Sequence, residues 1–195
     1  MNVKTCLSLC VLACVAGLAA PDEVQAQDTC LQMHLPVDRV IAPPETYVEF
    51  CLQYDGACEL TGPEVLEWTS DTHAKIAQIN AKVNAEITVV PDWQFHGLED
   101  VWDYPFNCQG DCEDIALEKR RQLTEAGLPS AAFTLALALK NAPPVPHALL
   151  LVETTHGTWV LDNLQEDLLC WTTAPYTITY RERTDGQWER YAVPR

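Results

Sequence analysis

The chain has 195 residues, a formal net charge of −16 and a hydrophobic fraction of 48%. This length fits one ordinary globular domain, and six Trp, six Tyr and four Phe can form a packed core, so wholesale disorder is excluded and two domains are not expected. The strong negative charge repels phosphate backbones and anionic lipid, so we do not expect the protein to bind nucleic acid.

The first 26 residues have the pattern of an export signal. One positive charge precedes an apolar stretch over residues 6–20, and a small-residue cleavage site ends at Ala26. We therefore expect a signal peptide over residues 1–26 and a single exported domain over residues 27–195. An uncleaved anchor and a lipoprotein site at Cys14 are the alternatives.

Export makes the cysteines informative, because thiols tend to pair in oxidising surroundings. Beyond the leader the chain keeps Cys30, Cys51, Cys58, Cys108, Cys112 and Cys170. Cys51 and Cys58 flank a turn signal at Asp55-Gly56, and we predict a local disulfide between them. A domain stapled by three bridges, in which no cysteine is catalytic, is the alternative interpretation.

Three segments before residue 110 carry clear patterns. Residues 28–44 are rich in proline and predict an extended stretch. Thr61-Gly62-Pro63 is expected to open a helix, whose apolar face repeats every three or four residues from Trp68 to Ile87. Residues 91–107 mix aromatic and acidic side chains in a loop that could wall a cleft.

The most regular helix pattern follows, over residues 110–127. Asp111 suits the N-cap, acids fill the first turn, and Gly127 suits the left-handed position after the last turn. Cys112 therefore lies in the first turn of this helix, where free N–H groups stabilise a thiolate.

Acidic neighbours oppose that stabilisation. Asp111, Glu113 and Asp114 should raise the pKa of the Cys112 thiol unless a cation neutralises them. Oxygen ligands of this kind suit Ca²⁺ better than zinc, so the pattern favours a calcium site. Ordinary helix capping by acidic residues is the alternative.

A base for the thiol could come from a predicted hairpin. His147 begins one apolar strand, and Asp162 lies on the strand that returns after a turn at His156-Gly157. This turn places the side chains of His147 and Asp162 on one face. It also puts residue 151 opposite Asp162, so His147 lies four residues further along the strand, about 13 Å from Asp162. Contact between them requires a wider turn or one centred earlier, near Thr154-Thr155.

The remaining segments predict more sheet. Residues 133–139 alternate bulky and small side chains, with a helix as the alternative, and residues 176–180 alternate likewise before a turn at Asp185-Gly186. Helices followed by strands predict an α+β fold, an antiparallel sheet with the Cys112 helix packed against it.

Several of these motifs, in this order, resemble the bacterial transglutaminase-like cysteine peptidases, which include the LapG-like periplasmic proteases. The strongest are Gly110–Asp114 followed by Lys119–Arg121, then Pro146–Ala148, then Val160–Leu164. The likeness runs from about Ala42 to Trp188 and takes in further residues: Cys51, Cys58, Trp68, Asn80, Asn84, Trp102 and Tyr176.

The resemblance implies a papain-like or transglutaminase-like core and a role for each motif. The implied triad consists of the nucleophile Cys112, the general base His147 and the orienting carboxylate Asp162. The implied ligands of an essential calcium ion are Asp111, Glu113 and Asp114.

The resemblance also implies a biological setting. LapG-like proteases are periplasmic, cut the N-terminal part of large biofilm adhesins beside an Ala-Ala pair, and are sequestered by an inner-membrane receptor that senses a cyclic dinucleotide. We expect a protein substrate here. The alternatives are acyl transfer to amines, as in transglutaminases, and an inert calcium-dependent module that docks a membrane receptor.

Two cysteines stand where the family usually has none. We predict that Cys108 and Cys170 pair, which would leave Cys30 free; the alternative is a redox lock between Cys108 and Cys112.

Overall fold

The computed structural model describes residues 30–105 and 107–192; the expected signal peptide lies outside them. The helices are α1 (Glu45–Gln53), α2 (Ser70–Glu86), α3 (Asp92–Phe95) and α4 (Cys112–Glu125). The strands are β1 (Val37–Ile41), β2 (Thr88–Val89), β3 (Gln109–Gly110), β4 (Phe133–Lys140), β5 (Pro146–Thr154), β6 (Gly157–Leu161), β7 (Leu169–Cys170), β8 (Tyr176–Glu182) and β9 (Trp188–Tyr191). In the described ranges, no helix is both long and apolar enough to cross a bilayer.

Seven strands form one antiparallel sheet in the order β1-β9-β8-β4-β5-β6-β7. Its central strand β4 is buried over most of its length, and the alternating pattern of this segment is indeed a strand rather than a helix. The two short strands β2 and β3 pair in parallel outside this sheet. The predicted α+β fold with helices packed on an antiparallel sheet is confirmed.

Helix α4 packs against β5, and its first residue faces that strand. The helix begins at Cys112 after Asp111 and ends before Gly127, which adopts a φ of 87°. Ala116, Leu117 and Leu123 are buried in the main core under the sheet. This packing fixes the helix N-terminus over the strand that carries His147.

Helix α2 begins later than the sequence predicts. Leu66 exchanges backbone hydrogen bonds with the hairpin, since its N–H donates to Glu153 and its carbonyl accepts from Thr155. This pairing makes Leu66 part of a β-bridge to Thr154 and keeps residues 62–69 out of the helix, which starts at Ser70, where the Thr69 hydroxyl accepts a bond from the Thr72 N–H. The prediction that Pro63 opens the helix is therefore wrong.

The disulfides match one prediction and overturn another. Cys51 and Cys58 are bonded, as the turn between them predicts. Cys170 is bonded to Cys30 and not to Cys108, so both the predicted Cys108–Cys170 bridge and a free Cys30 are wrong. The physical reason is that residues 30–33 run beside the β6 strand, next to β7, whereas Cys108 precedes β3 outside the large sheet.

Candidate active site

Cys112 lies in the first turn of α4, is half-buried and does not form a disulfide. Its thiol donates to Glu113 Oε2 at 3.0 Å, and its sulfur accepts from the Ala148 N–H at 3.4 Å. Burial raises the pKa of this thiol, and the Glu113 charge and hydrogen bond raise it further. A thiolate at Cys112 therefore needs these carboxylate charges to be neutralised, as the sequence argument anticipates.

His147 and Asp162 are buried and directly bonded. His147 Nε2 lies 2.8 Å from Asp162 Oδ1, and the neighbouring Ala148 amide touches the Cys112 sulfur. With Nε2 occupied by Asp162, Nδ1 is the ring nitrogen left to exchange a proton with a thiol. The structure thus brings the two predicted partners together, with His147 on β5, the strand that contacts the predicted nucleophile, and Asp162 just after β6.

Asp162 is held as a carboxylate by several donors. Its oxygens accept from His147, from the Tyr176 hydroxyl and from the Leu164 N–H. Burial alone would raise the pKa of Asp162, but these hydrogen bonds lower it below its ordinary value. The Tyr176 ring also stacks on the His147 ring, with centroids 5.3 Å apart, so it fixes both members of the pair.

The hairpin register explains how the pair meets. Thr154 pairs with Gly157, so the turn residues are Thr155 and His156, one position earlier than the predicted His156-Gly157 turn. Leu151 then opposes Val160, and the register continues to place Asp162 opposite residue 149, two positions from His147. The predicted 13 Å separation is wrong, because it followed from the misplaced turn.

The three predicted metal ligands lie in a larger group of acids. Carboxylate oxygens of Asp92, Asp111 and Asp114 lie within 4.8 Å of one another, as do those of Asp92, Asp100 and Glu113. Burial raises the pKa of Asp92 to about 6 and that of Asp114 to about 8. We call Asp92, Asp100, Asp111, Glu113 and Asp114 the acidic cluster.

The acidic cluster has the chemistry of a cation site. Within the described chain, no Lys, Arg or His nitrogen forms an ion pair with any of its carboxylates, and the buried Asp111 Oδ1 has no hydrogen-bond partner. Buried carboxylates that share a site this closely repel each other unless a cation is added or protons are bound. Five carboxylates with oxygen ligands only would suit a hard ion such as Ca²⁺.

Asp92 and Asp100 are the members that sequence reasoning did not assign to the metal. The loop containing them reaches the helix because β2 and β3 pair in parallel, Thr88 with Gln109 and Val89 with Gly110. Asp92 also folds back to accept from the Val101 N–H. The acid-rich composition of residues 91–107 was a signal, but the two-residue parallel pairing left no pattern in the sequence.

Comparisons with known proteins agree with this architecture. Residues 37–193 match the family model described as bacterial transglutaminase-like cysteine proteinase. A calcium-bound structure of Legionella pneumophila LapG has 22% identity and a TM-score of 0.52, covering 60% of this chain and 67% of that one. An EGTA-treated LapG structure from the same organism has 19% identity and a TM-score of 0.52, covering 77% and 87%. None of the curated proteins searched matches.

Proposed function

Since this chain belongs to the bacterial transglutaminase-like cysteine proteinases, we propose that it is a cysteine endopeptidase in which Cys112 attacks the peptide bond. The observation that carries the proposal is the buried bond between His147 and Asp162, together with the contact between the Cys112 sulfur and the Ala148 amide that follows His147 on β5. Nucleophile, base and orienting group on neighbouring elements are the arrangement that thiol catalysis requires.

In the proposed reaction, His147 Nδ1 takes the thiol proton, and the Cys112 sulfur forms a bond to the substrate carbonyl carbon. The C–N bond then breaks as the imidazolium gives its proton to the leaving amine, which leaves a thioester on Cys112. Water, losing a proton to His147, hydrolyses the thioester and restores the thiol. Asp162 holds the imidazole in position throughout, and the Cys112 N–H at the helix terminus would be one oxyanion donor.

The acidic cluster would hold calcium for this chemistry. Asp111, Glu113 and Asp114 are the ligands that the sequence resemblance implies, and Asp92 and Asp100 complete the set. Bound Ca²⁺ would neutralise the carboxylates that raise the pKa of the Cys112 thiol and would draw Glu113 away from it. The calcium-bound state of Legionella pneumophila LapG supports this assignment.

The likeness to LapG suggests where the enzyme acts. We propose a periplasmic location after removal of the leader, a large cell-surface adhesin as substrate and control by an inner-membrane receptor that senses a cyclic dinucleotide. The two disulfides that join described cysteines support an oxidising compartment.

Incubation of purified residues 27–195 with candidate adhesin fragments, in calcium or in chelator, tests the proposal. We expect cleavage in calcium only, with new N-termini mapped by mass spectrometry, and none with Cys112→Ala. Added amine separates hydrolysis from acyl transfer, because a transglutaminase would couple the amine to the acyl product. Turnover by Cys112→Ala, or a Cys112 thiol no more reactive toward iodoacetamide than free cysteine, would refute the assignment.

A further inference from the structure

Two asparagines on α2 bind the segment that follows β6. The Asn84 amide nitrogen donates to the Asp162 carbonyl at 2.8 Å and to the Gln165 carbonyl at 3.0 Å. One helical turn earlier, the amide nitrogen of the fully buried Asn80 donates to the Glu166 carbonyl at 3.0 Å. Residues four apart lie on the same face of a helix. One face of α2 therefore holds the backbone of this segment, beginning at Asp162 itself.

Asp162 lies just beyond the end of β6, where the sheet no longer fixes the backbone. The pairing of β5 with β6 ends at Leu150 and Leu161, and β7 pairs with Trp159 and Val160 of β6. Beyond these pairs, the Asp162 carbonyl accepts from a side chain of α2 instead of from a neighbouring strand. The position of this carboxylate relative to the sheet therefore depends on a helix that is not part of the sheet.

The Asn84 amide has one orientation that suits its partners. Both partners are carbonyl oxygens, which only accept, so the NH2 group has to face them. The amide oxygen is then buried and has no hydrogen-bond partner among the described residues. An unpartnered buried oxygen costs stability, so packing alone would favour an apolar side chain at this position. What asparagine adds is the pair of donors.

We propose that Asn84 is a positioning residue of the active site, which holds the Asp162 carbonyl and so keeps the Asp162 carboxylate against His147. This inference rests on the proposed function, in which His147 is the base. The carboxylate accepts from His147 Nε2 at 2.8 Å and from the Leu164 N–H at 3.1 Å. Release of the Asp162 backbone would let the carboxylate and the imidazole move apart, and small displacements of catalytic groups lower rates strongly.

A double-mutant cycle separates positioning from a general effect on the fold. Cleavage kinetics on an adhesin fragment that the wild type cuts are measured in saturating calcium for Asn84→Leu, Asp162→Ala and the double variant. Leucine is of similar size and removes both donors. We expect Asn84→Leu to lower kcat by about tenfold and to change KM by less than about twofold. In the Asp162→Ala background no carboxylate remains to be positioned, so the same substitution should lower kcat by less than about twofold.

A matched control removes an amide from the same helix. Gln78 is exposed on α2, so Gln78→Leu makes the equivalent chemical change away from Asp162. We expect Gln78→Leu to leave both kcat and KM unchanged.

The bond between His147 and Asp162 gives a readout that does not require activity. Because a carboxylate only accepts, the shared proton lies on His147 Nε2, and its NMR resonance is assigned through its loss in Asp162→Ala. We expect this proton to exchange with water at least about tenfold faster in Asn84→Leu than in the wild type, and at the wild-type rate in Gln78→Leu.

The outcomes separate the two proposals. Equal losses of kcat in the wild-type and Asp162→Ala backgrounds, or unchanged proton exchange in Asn84→Leu, would each overturn this inference alone. Cleavage that persists in Cys112→Ala would overturn the proposed function, and the catalytic role of Asn84 with it. If Asn84→Leu does not fold, Asn84→Ser takes its place in both measurements, since serine is smaller and its single hydroxyl cannot donate to both carbonyls.

Discussion

His147 Nε2 and Asp162 Oδ1 lie 2.8 Å apart although the two residues come from different segments of a hairpin. The bond is shielded from water, since Asp162 is 1% exposed and His147 is 7% exposed. Such a carboxylate fixes the ring orientation and the tautomer, and it stabilises the imidazolium when it forms.

We predict that Asp162→Asn lowers kcat/KM for peptide cleavage by at least about a hundredfold, because asparagine keeps the shape and loses the charge. Tyr176→Phe is the matched control, since it removes one donor to Asp162 and keeps the ring on His147. We expect this variant to lose about tenfold or less. Equal effects of the two substitutions would show that the charge of Asp162 is not what matters.

The β5–β6 hairpin shows which features of the site could be predicted from the sequence and which could not. Strand periodicity placed His147 and Asp162 on one face of neighbouring strands, which the structure bears out. The register of the two strands depends on which of two turns, one residue apart, connects them. The Thr154 hydroxyl favours the observed turn, because it donates to the Gly157 carbonyl and accepts from the His156 N–H. A side chain that selects a turn in this way has no periodic signature.

Contacts between residues far apart in the sequence were the other features that could not be predicted. The local Cys51–Cys58 bridge could be read from a turn between two close cysteines, whereas the Cys30–Cys170 bridge spans 140 residues of sequence. It depends on how the N-terminal segment lies against β6 and β7. Asp92 was missed for the same reason, because its approach to Asp111 follows from a tertiary contact.

Removal of the Asp92 carboxylate, which the sequence analysis did not assign to the metal, should weaken cation binding. We predict that Asp92→Asn lowers the affinity for Ca²⁺, or for Tb³⁺ as a luminescent probe, by at least about tenfold, because it deletes one buried carboxylate of the acidic cluster. Titration calorimetry measures the effect. Glu99→Gln, an equal charge change at an exposed neighbour, should alter affinity by less than about threefold. Similar losses in both variants would point to net charge rather than ligation.

Two adjacent arginines should differ sharply in their contribution to stability. Arg120 is buried against Glu182, which also accepts from Tyr47 and the Leu135 N–H, whereas Arg121 forms half-exposed pairs along α4. We predict that Arg120→Met lowers the free energy of unfolding by about 3–5 kcal/mol, because Glu182 is left buried without its cation. Arg121→Met should cost about 1 kcal/mol or less in urea denaturation.

A second substitution checks the cause. Glu182→Gln in the Arg120→Met background removes the unpaired charge and should recover part of the lost stability. No recovery would mean that packing of the guanidinium stem, and not its charge, stabilises the fold.

Lys119 is 1% exposed, and burial of its ammonium should have the opposite effect on stability. Its pKa is about 7 in the folded chain, below the ordinary value of about 10.4, so the folded state binds fewer protons than the unfolded state between these values. A depressed pKa means that stability falls as pH falls from about 10 to about 7, and it stays low below that. We predict that Lys119→Met is more stable than the wild type by about 2–4 kcal/mol at pH 7, with the difference shrinking as pH approaches about 10.

Urea denaturation across this pH range measures the difference, and Lys82→Met, at a half-exposed site, should follow the wild type at every pH. A Lys119→Met variant that is less stable at pH 7 would show that the ammonium is favourably paired, contrary to the burial argument.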